Sequence, residues 1–178
     1  MKRVNKPAVS AAGLVIAALF YLCMLSVPTA GNPQVNSALP SLAYFTGDWE
    51  CSGKFDASGK SIEAHQHFEP ELEGTWISFR HDDKPPFNYH ALAEWGWEAN
   101  RKDLVMIVQD STGGVRVFHS SGWNATQLVW DGSVLDSSSI PSQRFIFERL
   151  DDRHFKVSYF TLKGADWSRM DSSTCSKQ

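Results

Sequence analysis

Beyond residue 45 the 178-residue chain has no stretch with the apolar recurrence of an amphipathic helix. A helical bundle or an alternating α/β fold is excluded by that absence, because both need such helices. Positive charge is also scarce. Lys and Arg number 17 against 20 Asp and Glu, the formal net charge is −3, and no basic patch stands out. Nucleic acid is therefore not an expected partner. Cysteine is scarcer still, with three in all, and Cys23 lies in an apolar N-terminal run. Only Cys51 and Cys175 remain for a folded domain. No Gly-x-Ser-x-Gly occurs, so the sequence has no nucleophile elbow. What the chain does have is hydrophobic content of 42%, charged content of 21%, seven Trp and eleven Phe. That is the balance of one globular domain with aromatic side chains to spare for its interior.

The first 30 residues read as a segment apart. Lys2, Arg3 and Lys6 precede an apolar run over residues 8–27, and Ala30 suits the position before a signal-peptidase cut. The pattern predicts a secretory signal peptide over residues 1–30, followed by a linker over 31–38 and the folded domain over 39–178. Pro28 departs from the small residue usual three positions before the cut, and the run is long enough to span a bilayer. The alternative is an uncleaved inner-membrane anchor over residues 8–27 with the same orientation. Either way the domain is expected outside the cytoplasm, periplasmic or secreted. Two cysteines in such a compartment read as one disulfide, against the alternative of two unpaired thiols.

Residues 39–45 suit a short helix that would act as a lid or plug. After it, ten β-like runs alternate with turn residues: 48–56, 60–69, 75–82, 88–98, 103–110, 115–121, 127–131, 143–150, 154–162 and 165–175. Short connections and many strands predict an all-β, antiparallel up-and-down barrel. In an even-stranded meander the first and last strands run antiparallel and can close the sheet. A Cys51–Cys175 bridge would lock that seam, with Gly53 opposite Ser173 and Phe55 opposite Asp171. Closing so long a loop is worth up to about 5 kcal/mol in the chain-entropy model.

Period-2 geometry sorts the side chains, with the more apolar face of each strand expected inward. Trp49 and Cys51 share one face of the first strand. Ile62, Ala64, Gln66 and Phe68 share a face of the second, and Tyr89, Ala91, Ala93, Trp95 and Trp97 a face of the fourth. The third strand does not decide between His81 and Arg80. In the sixth, Val115, Val117 and His119 are expected inside and Arg116 and Phe118 outside. Phe145, Phe147, Phe155, Val157 and Tyr159 complete the interior. The candidate ligand-binding residues are then Trp49, Gln66, His81, Trp95, His119 and Tyr159. An aromatic interior with a few polar groups suits a small apolar or aromatic molecule.

Gly47-Asp48-Trp49 is similar to the Gly-x-Trp that opens lipocalin-like (calycin) barrels. Over residues 42–175, including Trp95-Gly96-Trp97 and Asp171-Ser172-Ser173-Thr174-Cys175, the chain resembles an exported bacterial family of unknown function with a calycin-like, lipocalin- or nitrobindin-like barrel. The resemblance implies a ligand-binding barrel. In lipocalins an Arg near the last strand packs over the Trp, but the bridge register puts Arg169 opposite Ala57, far along the strand from Trp49. Nitrobindins hold haem through a late His. The last strand here has none, and no cofactor is expected.

Other motifs compete. His65-Gln66-His67 places two imidazoles on one strand face, and His81 or His90 would supply a third ligand. Parity turns the pair outward beside Glu63 and Glu69, so no metal site is expected. Glu94 with His90 is a candidate acid–base pair. The alternatives to a binding module are an enzyme around His81, His90, Glu94 and His119, and a filled barrel acting through rim contacts near outward Trp76 or Phe118. The Ser-rich tract over residues 137–139 reads as a loop, and Asn124-Ala125-Thr126 matches a glycosylation sequon.

Overall fold

The computed structural model describes residues 41–134 and 141–178. The expected signal segment, its anchor alternative, the linker and the Ser-rich tract over 137–139 lie outside the described residues. Among the described residues no helix is long and apolar enough to cross a membrane.

The domain is all-β. Its strands are β1 Gly47–Phe55, β2 Ser61–Glu71, β3 Trp76–Asp83, β4 His90–Glu98, β5 Asp103–Asp110, β6 Val115–Ser120, β7 Trp123–Asn124, β8 Gln127–Val134, β9 Gln143–Arg149, β10 His154–Lys163 and β11 Asp166–Lys177. All pairings are antiparallel. The sheet runs β6 to β1 in descending order, continues through β11 down to β8, and closes through β6–β8. Ten strands form the ring, and the two-residue β7 is a hairpin appendage of β8. Closure leaves those ten strands without a free edge.

The seam lies where the sequence places it. Cys51 faces Cys175, Gly53 faces Ser173 and Phe55 faces Asp171. The Cys51–Cys175 disulfide is formed, with a Cα separation of 4.0 Å across 124 residues of chain. Period-2 burial follows in β1 and β2, where Trp49, Cys51, Ile62, Ala64, Gln66 and Phe68 are all buried.

One end of the barrel is filled. In the described part of the expected short helix, residues 41–42 are helical and Ala43–Phe45 continue as a 3-10 turn that acts as the plug. Phe45 is fully buried, with its ring centroid 5.3–5.7 Å from those of Phe68, Trp95, Trp123, Phe147 and Phe155. Trp49 Nε1 donates to the Phe45 carbonyl oxygen at 2.5 Å. The cation over the Trp49 ring is Lys177, at 5.3 Å, and not Arg169. Gly47 opens β1 at a φ of +111°, a conformation that favours glycine.

The Trp-Gly-Trp of β4 has a packing cause. Gly96 pairs with Trp76 across β3–β4, and the Trp76 indole lies flat against it. A Cβ at Gly96 would meet ring atoms at 2.4–2.6 Å. Gly96→Ala is therefore expected to displace the indole and cost about 1–3 kcal/mol. A lowered thermal midpoint with altered Trp emission checks this.

Strand β6 corrects the expected facing. Phe118 is fully buried and Arg116 largely so, while Val115 is exposed and His119 lies on the outward face. Arg116 enters because a partner inside neutralises it: Asp110 sits 2.5 Å away. The rule that puts charge outside fails when the counter-ion is also inside. Phe118 is accordingly no part of an outer apolar patch.

Candidate functional site

At the end opposite the plug the barrel holds a cavity of about 400 Å³. That is within the usual range for small-molecule sites. Its apolar wall comes from Phe55, Ile62, Phe79, Phe87, Met106, Val108, Phe145, Phe147 and Val157. The rings are packed against one another: Phe145 stacks on Tyr159 at 4.9 Å, and Phe55 meets Phe87 edge-on at 5.3 Å. Phe87 belongs to the connection between β3 and β4, so the loop contributes to the wall.

The polar groups fall into two sets. In the first, Arg116 Nη2 donates to Asp110 Oδ2 at 2.5 Å and to the Tyr89 hydroxyl oxygen at 2.6 Å. Asp110 also accepts from the Thr112 and Gly114 amides at 2.9 and 3.1 Å, which fixes the β5–β6 turn. Buried at 12% and 5% side-chain exposure, this pair is costly to break from either side. Burial pushes the Tyr89 and Tyr159 hydroxyls up from their ordinary pKa, with Arg116 acting in the opposite sense.

In the second set, the Gln66 amide nitrogen donates to His81 Nδ1 at 3.1 Å and His81 Nε2 donates to Asp83 Oδ1 at 2.8 Å. The chain of bonds selects the tautomer with its proton on Nε2. Gln66 is only 3% exposed, and its Oε1 has no hydrogen-bond partner among the described residues. Arg116 Nε is likewise buried and has no partner among the described residues. Asp171 completes the wall. Burial is the main cause that pushes its carboxyl up to about 6; His81 opposes the shift, and Asp56 and Asp83 add to it.

A bulge next to Asp171 re-aims Arg169. Tyr159 pairs with Asp171, but the next residue, Phe160, pairs with Arg169, so Met170 is an extra residue in β11. The shift turns Arg169 out of the barrel, where its Nε donates to Asp56 at 2.8 Å. Asp171 keeps the inward parity of Cys175 and Ser173. Bulges commonly serve to re-aim a side chain in this way.

Of the sequence-derived candidates, Gln66, His81 and Tyr159 come together in the cavity wall. His81, and not Arg80, is the inward member of β3; Arg80 is outside and paired with Asp82. Trp49 and Trp95 do not line the cavity and are fully buried in the filled end. His119 is a correction: it faces outward, 3.3 Å from Asp103. The reason is the β6 parity set by Arg116 and Phe118. The enzyme constellation is dispersed as well. His90 lies outside against Asp82 at 2.7 Å, and Glu94 shares that outer face, its carboxyl pushed up by partial burial and by Glu71.

His65 and His67 also face outward. His67 Nδ1 sits 2.7 Å from Asp48, and His65 lies 3.2 Å from Asp48 and 3.3 Å from Glu50. Lys84 closes this surface network on Glu50 at 2.5 Å. Among the described residues no three His, Cys, Asp or Glu converge as a metal-ligand set.

The sequence reading missed Arg116, Asp83 and Asp171 as wall residues, and Asp110 as the partner that holds Arg116. For Asp171 the signal was present, since it shares period-2 parity with Cys175.

No family model matches the chain, and no curated protein matches it. Among solved structures, the chain is similar to a de novo designed fluorescence-activating β-barrel at 13% identity, covering 78% of this chain and 97% of the design, with a TM-score of 0.41. A redesigned β-barrel, mFAP1, bound to DFHBI, also matches at 13% identity, covering 80% of this chain and all of that one, with a TM-score of 0.36. Likeness at this level says nothing about what this chain binds.

Proposed function

We propose that this chain is an exported, calycin-like β-barrel that binds one small, largely apolar aromatic molecule. The observation that carries this reading is the cavity itself. It is about 400 Å³, walled by aromatic and aliphatic side chains, and provided with a few oriented polar groups. A barrel that existed only to be filled would resemble its other end, where Phe45, Trp49, Trp95 and Phe155 leave no such space. Export is supported by the charged and apolar N-terminal pattern, and the bridged cysteines suit an oxidising compartment.

Native mass spectrometry of the protein purified from the periplasm, with a denatured control, tests the reading. The expected spectrum shows a mass two hydrogens short of the reduced chain plus an adduct that denaturation removes. A bare chain that also takes up no aromatic probe would overturn it.

A further inference from the structure

We infer that the occupant of the cavity is a cation, an aromatic or aryl-alkyl amine whose ammonium faces Asp171 and the free carbonyl oxygen of Gln66. This rests on the ligand-binding reading above and names the chemical class of the ligand.

The charge balance of the wall leads there. Two carboxyls of the wall, Asp83 and Asp171, stand against one guanidinium, Arg116, and one imidazole, His81. Arg116 is held by Asp110 and Tyr89, and His81 is held by Gln66 and Asp83. Asp171 alone among those carboxyls has no hydrogen bond or ion pair within the described residues. An uncompensated carboxylate in an apolar wall is costly, and a ligand cation is the group that relieves it.

Gln66 gives an independent indication. It is almost fully buried, its amide nitrogen is used by His81, and its Oε1 has no donor among the described residues. A buried acceptor without a donor carries a penalty that a ligand N–H removes. An ammonium has three donors, enough for both acceptors. The surrounding rings add to the preference, since the faces of Phe and Tyr attract cations once water is excluded.

The opposite charge does not fit. Arg116 is already held by Asp110 and Tyr89, and a ligand carboxylate drawn to it would share the wall with Asp83 and Asp171.

The test is calorimetric titration of the protein at neutral pH with three probes of matched shape: naphthylmethylamine, naphthylmethanol and naphthoate. The amine is expected to bind about tenfold or more tightly than the alcohol, and the carboxylate most weakly. Asp171→Asn, which keeps the shape of the side chain, is expected to remove the amine's advantage over the alcohol. The wild-type ranking stands as a test even if that variant folds poorly. Equal binding of amine and alcohol, tighter binding of the carboxylate, or an amine preference that survives Asp171→Asn would overturn the inference while leaving a ligand-binding barrel intact. Failure of all three probes to bind would overturn the binding reading and the inference with it.

Discussion

Replacing Cys51 and Cys175 together by alanine is expected to lower the thermal midpoint by about 10 °C or more. The bridge joins β1 to β11 across 124 residues, so its removal restores the freedom of a very long loop to the unfolded chain. The chain-entropy model puts that at up to about 5 kcal/mol, and losses on removing native disulfides commonly run about 2–5 kcal/mol. For a domain of this length each kcal/mol shifts the midpoint by about 2–4 °C. Both cysteines are buried and opposed in register, so alanine leaves the β1–β11 ladder in place and adds no polar atom. A serine pair should do worse than the alanine pair, because two buried hydroxyls then need partners. Thermal melts of wild type with and without reductant, beside the alanine pair, check this. Reduced wild type and the alanine pair should agree, and an unchanged midpoint in both would contradict the seam's role.

Phe45→Ala is expected to cost about 3–5 kcal/mol, the usual range for truncating a core aromatic. Phe45 is the centre of the filled end. Besides its chain neighbour Tyr44, five aromatic rings lie within 5.7 Å, centroid to centroid, and its carbonyl accepts from the Trp49 indole. Those neighbours are held by separate strands and cannot collapse together, so the void persists. Edge-to-face and stacked partners add to the loss beyond buried area. Phe45→Leu should recover part of it. Denaturant titration of the three proteins reads the ladder. Phe45 is absent from the cavity wall, so ligand affinity in the folded variants should hold.

Much of this was legible because strands announce themselves by period and turn residues. The ten ring strands fall within a few residues of where alternation places them, and the bridge register follows from two cysteines on the outer strands of a closed meander. The third strand, where alternation left Arg80 and His81 undecided, needed the structure. What was not legible depends on partners far apart in sequence. In Leu104-Val105-Met106-Ile107-Val108 every position is apolar, so β5 shows no preferred face. Asp110 at its end gives no sign of neutralising Arg116 six residues on. Without that pairing a charged Arg116 reads as outward, and His119 is drawn inward in its place. The bulge at Met170 is invisible for the same reason, since it is a mismatch between two strands rather than a property of either. The plug was expected as a short element beside β1, but nothing local marks Phe45 as its centre.

The most direct test of the central claim is a titration of the neutral dye N-phenylnaphthylamine against wild type and Ala91→Trp. Ala91 is buried, faces inward and lines the cavity, so the larger side chain fills the space a ligand would take. The cavity account predicts saturable binding of one dye per wild-type molecule, and loss of that binding in a folded Ala91→Trp with its thermal midpoint kept. Equal binding by both proteins, or none by wild type, would contradict it.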